Sequence, residues 1–179
     1  MKNDDKVTKI LVLTTGGTIE KSYDESSGQL DNFENYLAEV LKTRLRLPYT
    51  QLRFQSLMNK DSLHMTEDDR SLIFAAIMDW SSKVDGIVIL HGTDTMDLTA
   101  QYCVEQIKKT PLESEVSIVF TGAMRPFGFE QSDAMQNMTE ALLATKILPS
   151  GLYLSFHNQI FLAPNFVKNK DKKTFEFIK

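Results

Sequence analysis

The chain of 179 residues carries 20 Lys and Arg against 24 Asp and Glu, a formal net charge of −4. Dispersed basic residues and an acidic balance argue against a phosphate-binding surface, and so against nucleic acid as a partner. Hydrophobic residues at 42% and charged residues at 25% are ordinary for a globular protein, and the length fits one domain over residues 1–179 with a sizeable core.

Cys103 is the only cysteine, so no internal disulfide framework can form. The amino-terminal MKNDDKVTK lacks the apolar stretch of a signal peptide, and no run approaches the ~18 apolar residues of a membrane span. These features predict a cytoplasmic protein.

In chain order, residues 9–14 (KILVLT) read as a buried parallel strand that ends in Thr15-Gly16-Gly17-Thr18. Residues 22–29 (SYDESSGQ) read as a polar surface loop. A helix is expected from about Asn32, with Phe33, Tyr36, Leu37, Val40 and Leu41 on one face. Residues 51–57 alternate as a strand does, and Asp61-Ser62-Leu63-His64-Met65 follows as a loop. Thr66 then caps a helix whose first turn is acidic and whose buried face is Ile73, Ala76, Ile77 and Trp80.

Gly86–Leu90 is a short apolar β-branched run that stops abruptly at His91-Gly92-Thr93-Asp94-Thr95. The next helix keeps Met96, Ala100, Cys103 and Ile107 on its core face. Residues 116–120 form another apolar strand, emptying into residues 121–126 (TGAMRP). Ser132 is expected to cap a helix with Met135, Met138 and Leu142 inside. Gly151–Phe156 and Gln159–Leu162 complete the strands, and residues 168–173 (KNKDKK) read as a solvated tail. Strands alternating with helices predict an α/β fold, a mainly parallel sheet flanked by helices in a flavodoxin- or Rossmann-like three-layer arrangement. Parallel strands would bring the TTGGT, HGTDT and TGAMRP loops to one carboxyl edge, where open α/β sheets bind ligands.

The chemistry of those loops is narrowed by what they lack. There is no GxGxxG, no Walker-type loop and no G-x-S-x-G elbow, and the three His and one Cys have no zinc spacing. What remains is threonine, whose hydroxyl becomes a nucleophile when a base takes its proton; a lysine can be that base. Thr18 and Thr93 are the best-placed hydroxyls, with Asp94 to orient a charged partner. The plain alternative makes Thr93 and Asp94 a helix N-cap pair. His91 reads as structural, Cys103 as an inert small hydrophobe, and Arg125 as a carboxylate binder or a structural hydrogen-bonder.

TTGGTIE at 14–20, KDSLHMT at 60–66, HGTDTM at 91–96 and TGAMRP at 121–126 together resemble the bacterial-type L-asparaginase (asparaginase/glutaminase) family, in the family's order. The resemblance implies its amino-terminal fold and the conversion of L-asparagine, or L-glutamine, to the acid and ammonia without metal or cofactor. By the same resemblance Thr18 matches the nucleophile, Thr93 and Asp94 the second threonine and its aspartate, and Lys168 the catalytic lysine. Asp61, Ser62, Gly17, Gly92, Ala123 and Tyr23 form the implied substrate shell, Ser62 at the α-carboxylate and Ala123 beside the side-chain amide.

The chain departs from the pattern in three places. Family members are usually about twice this length, with a smaller carboxyl-terminal domain. Gly28-Gln29 stands where the mobile-loop tyrosine is expected, so either Tyr23 substitutes or the role is empty, and Leu63 follows Ser62 where a polar residue often sits. The family's assemblies imply at least a homodimer. The rival expectation is an amino-acid-binding or regulatory relative with weak or no turnover.

Overall fold

The computed structural model describes residues 7–24, 29–32, 36–112 and 115–178. Its centre is a six-stranded sheet. Strand β1 (Thr8–Thr14) lies inside it because Ile10 to Leu13 are all buried, two on each face. A short 3-10 turn (Thr18–Glu20) leads to β2 (Lys21–Asp24), which pairs antiparallel with β3 (Gln29–Asn32) as a separate two-stranded ribbon.

The expected loop at 22–29 is therefore strand at both ends, with residues 25–28 outside the described residues. Helix α1 (Tyr36–Arg44) begins later than expected, because Asn32 is taken up in the ribbon opposite Lys21. Phe33 lies outside the described residues.

Strand β4 (Thr50–Ser56) alternates, with Leu52 and Phe54 toward the core. Helix α2 (Glu67–Ser81) starts in a capping box: the Thr66 hydroxyl accepts from the Asp69 amide, and the Asp69 carboxylate accepts from the Thr66 amide. Then come β5 (Gly86–Leu90), α3 (Met96–Lys109), β6 (Ser117–Thr121) and α4 (Ala134–Ile147). The N-cap of α4 is Asp133, one residue beyond the expected Ser132, whose hydroxyl nonetheless accepts from the Ala134 amide. Strand β7 (Gly151–Phe156) turns into β8 (Gln159–Leu162), its antiparallel neighbour.

The expected solvated tail is not one. Residues 168–173 close a second ribbon of β9 (Phe166–Asn169) and β10 (Thr174–Phe177). Asn169 stitches its turn by accepting from the Lys172 amide. Phe166 and Phe175 pack edge-to-face underneath, with Phe156 against Phe175. The lysine-rich turn masks this aromatic alternation in the sequence.

The strand order is β4-β1-β5-β6-β7-β8, parallel but for β8. Alternate residues of each inner strand feed two cores. Leu11, Leu13, Ile87, Ile89, Ile118 and Phe120 meet α2 and α3 on one face. Ile10, Val12, Val88, Leu90 and Val119 meet α1 and α4 on the other. Truncating a fully buried residue such as Ile89 to alanine costs ~2–5 kcal/mol. The chain winds outward in both directions from β1, so the order reverses between β1 and β5, and a ligand crevice opens outside the carboxyl ends of those strands. No helix among the described residues is long and apolar enough to cross a membrane.

Candidate active site

The loops after β1, β5 and β6 meet at that crevice. Thr15 ties the first to the second, its hydroxyl donating to the Leu90 carbonyl at 2.8 Å. The His91 amide donates to Thr121 O at 3.0 Å, tying the second to the third. Two glycines allow the close approach. A methyl group added at Gly17, where φ is 90°, would lie 2.7 Å from the Gly92 Cα; one at Gly92 would lie 2.6 Å from the Ser62 hydroxyl. Both distances are too short for any side chain, so glycine at 17 and 92 sets how near the backbones come.

Thr18 opens the 3-10 turn immediately after Gly17. Glu20 closes that turn, and its carboxylate accepts from the Gly16 amide at 2.6 Å. Burial pushes the Glu20 carboxyl above the ordinary carboxylate value, against the pull of the Gly16 amide and the Thr14 hydroxyl.

Thr93 and Asp94 do not cap α3; Thr95 occupies the cap position. They face the ribbon instead, where Lys168 Nζ donates to Thr93 Oγ1 at 2.7 Å and to Asp94 Oδ1 at 2.9 Å. Thr93 is buried, while the Lys168 and Asp94 side chains are 15% and 34% exposed. Residues 75 positions apart thus form one contiguous hydroxyl–amine–carboxylate set.

The fourth segment is a 3-10 turn, Ser62–His64, that Asp61 caps by accepting from the Leu63 amide at 3.0 Å. Ser62 O accepts from the Thr95 hydroxyl, which fastens the turn to the second loop. The Ser62 hydroxyl is 1% exposed and has no hydrogen-bond partner among the described residues. An unsatisfied buried hydroxyl costs about 1–3 kcal/mol, a cost that a bound polar ligand would relieve. Leu63, beside it, is exposed.

Ala123 is buried in the third loop. Tyr23 sits opposite Leu30 in the first ribbon, its side chain outside the described set. Arg125 donates to Gln131, a local structural contact. His91 is fully buried between the Gly92 carbonyl and the Thr99 hydroxyl. Among the described residues no group of His, Cys, Asp and Glu is arranged to hold a metal ion.

Sequence reasoning missed the support under the third loop. Asp133 accepts from the Met124 and Arg125 amides, Asn137 donates to Gly122 O, and His157 donates to Asp133. Burial pushes the Asp133 carboxyl up, but the Met124 amide, the His157 ring and the Arg125 amide outweigh it and hold it below the ordinary carboxylate value. The available signal was the single polar face Asp133/Asn137 at helical spacing, hidden among core methionines.

Comparison with known proteins bears on this site directly. The family description "Asparaginase, N-terminal" matches residues 9–178. The L-asparaginase of Thermococcus kodakarensis is 32% identical over 161 residues, 89% of this chain and 47% of that protein. One subunit of the glutamyl-tRNA(Gln) amidotransferase of Thermoplasma acidophilum is 31% identical over 134 residues, 75% of this chain and 32% of its own length. Among solved structures, the thermostable T. kodakarensis L-asparaginase superposes with a TM-score of 0.80 at 27% identity, covering 95% of this chain and 51% of that one. A probable cytoplasmic L-asparaginase from Campylobacter jejuni gives 0.77 at 25% identity, covering 95% and 53%. The chain spans about half the length of the L-asparaginases it matches.

Proposed function

Because this chain belongs to the asparaginase family, we propose that it is an L-asparaginase-like amidohydrolase, converting L-asparagine to L-aspartate and ammonia through a threonine nucleophile. The observation that carries the reading is the Lys168 amine within 2.7 Å of Thr93 Oγ1 and 2.9 Å of Asp94 Oδ1, on the loop whose Gly92 lies against Gly17, the residue before Thr18.

The chemistry runs in two halves. Thr18 Oγ bonds to the side-chain amide carbon while its proton passes to the nitrogen, which leaves as ammonia. The resulting ester is then attacked by water. Lys168 takes the Thr93 proton, and Thr93 takes one from the water. Aspartate departs, and the proton held on Lys168 returns through Thr93 to Thr18. Backbone N–H groups of the glycine loops stabilise the oxyanion. The unpartnered Ser62 hydroxyl donates to the substrate carboxylate, and Asp94 receives the amino group.

The same proposal takes residues 1–179 as one asparaginase amino-terminal-type domain, cytoplasmic and at least homodimeric. The companion feature is the matched length: relatives carry as much chain again. Ammonia release from L-asparagine and L-glutamine at millimolar concentration, with Thr18→Ala alongside, tests the reading. Release by the parent protein alone supports it, and equal release by Thr18→Ala refutes the nucleophile.

A second reading is favoured by a specific observation. Several relatives at 26–32% identity are subunits of glutamyl-tRNA(Gln) amidotransferases. On that reading the same site frees ammonia from an amide for a partner protein rather than for solution. A preference for glutamine with release that rises only on adding a partner would favour it.

A further inference from the structure

The β9–β10 ribbon that carries Lys168 is not hydrogen-bonded into the main sheet. A lone two-stranded ribbon is marginal by itself, and the hydrophobic burial beneath it, being non-directional, does not alone fix its lateral position to a fraction of an ångström. A proton relay through a 2.7 Å contact needs that precision. One side chain outside the relay is placed to supply it.

His157 occupies the two-residue turn between β7 and β8 with φ of 48°, followed by Asn158 at 61°. Positive φ is uncommon outside glycine but is tolerated by both His and Asn, so the turn accepts an imidazole without requiring one. The ring spans two segments. Its Nε2 lies 2.9 Å from Asp133 Oδ2, and its Nδ1 lies 3.0 Å from Thr174 Oγ1. Asp133 holds the third loop through the Met124 and Arg125 amides. Thr174 opens β10, adjacent to Phe175, which pairs with Lys168. The His157 backbone is pinned as well, its amide donating to Asn137 Oδ1 at 3.0 Å.

We propose that His157 is a positioning residue that ties the lysine ribbon to the third loop, fixing Lys168 against Thr93. A carboxylate only accepts, so Nε2 donates to Asp133. Nδ1 accepts the Thr174 hydroxyl proton when the ring is neutral and donates to its oxygen when the ring is charged. Either way the bridge is complete, so the role is geometric rather than that of a proton carrier. The inference rests on the amidohydrolase reading for its kinetic consequence, but not for its structural one.

The test uses two variants of the full chain. His157→Asn suits the turn yet is too short to bridge; His157→Gln offers a donor for Asp133 and an acceptor for Thr174. Hydrogen exchange is read at the amides of residues 122–125 and 166–177, and kcat and KM are measured with L-asparagine. The expected result for His157→Asn is faster exchange in both segments and a kcat lower by on the order of tenfold to a hundredfold, with KM changed less. His157→Gln should recover most of both. Wild-type exchange in His157→Asn overturns the bridge, and faster exchange with unchanged kcat overturns the positioning role. Absence of ammonia release from the parent protein would count against the amidohydrolase reading, while exchange would still decide whether the bridge exists.

Discussion

His91 makes the fold acid-sensitive by an amount the structure allows to be worked out. The ring is fully buried; Nδ1 donates to the Gly92 carbonyl at 2.8 Å and Nε2 accepts from the Thr99 hydroxyl at 2.9 Å. A second ring proton would turn the Thr99 hydroxyl toward the Thr95 carbonyl, at 3.3 Å, and place a charge in the core. Burial, reinforced by the Arg70 charge and only partly offset by the Gly92 carbonyl, lowers its pKa from 6.5 to about 4.

The folded value lies below the unfolded one. Between them the unfolded chain binds a proton that the native state does not, so stability is present above pH 6.5 and is lost as pH falls toward 4. At roughly 1.4 kcal/mol per pH unit, that interval removes ~3 kcal/mol, a large share of a typical domain's stability. Asp69, held below the ordinary carboxylate value chiefly by Lys60, and Asp133 lose stabilisation in the same direction. A variant is therefore needed to isolate the histidine.

In His91→Asn the amide can still donate to Gly92 O but cannot titrate. Urea unfolding followed by circular dichroism at several pH values between about 4 and 7 should show the variant less stable by ~1–2 kcal/mol at neutral pH. Its stability should also fall less steeply with acid, by about one proton's worth of slope. Equal slopes in the two proteins would refute the reasoning.

Gly92→Ala puts a methyl group 2.6 Å from the Ser62 hydroxyl, so ammonia release should fall more than tenfold and stability by ~1–3 kcal/mol; calorimetry and the ammonia assay check both. Lys168→Met should reduce turnover by ~10²–10⁴. Its stability should fall by about 1–3 kcal/mol, because the buried Thr93 hydroxyl loses its partner, while the 34% exposed Asp94 carboxylate can rehydrate. Cys103 is fully buried, and burial pushes its thiol up to about 12. A disulfide reagent at neutral pH should therefore label it only on unfolding, and full labelling of native protein within minutes would contradict that placement.

The inner strands were legible because continuous apolar runs such as GIVIL have no other comfortable environment, α2 because a capping residue and a core stripe coincide at Thr66, and α3 by its core stripe from Met96 alone. The three glycine loops converge because the strands are parallel, an inference that needs no side-chain detail. Periodicity failed where pairing is local and mixed. The β2–β3 ribbon is built from polar residues, and the β9–β10 ribbon hides its aromatic face behind a lysine-rich turn. Asp61 adds a second role that spacing did not announce: a carboxylate inside a motif block also caps the following turn by accepting from the Leu63 amide. His157 and Asp133 lie 24 residues apart, and nothing in local spacing announces that they touch.

The most direct test of the account is continuous ammonia release from L-asparagine by the purified chain, its Thr18→Ala variant and its Lys168→Met variant, all confirmed folded. Turnover by the parent protein, with both variants reduced at least a hundredfold, is the predicted result. Turnover undiminished in either variant would contradict the assignment of that residue, and a folded but silent parent protein would contradict the amidohydrolase itself.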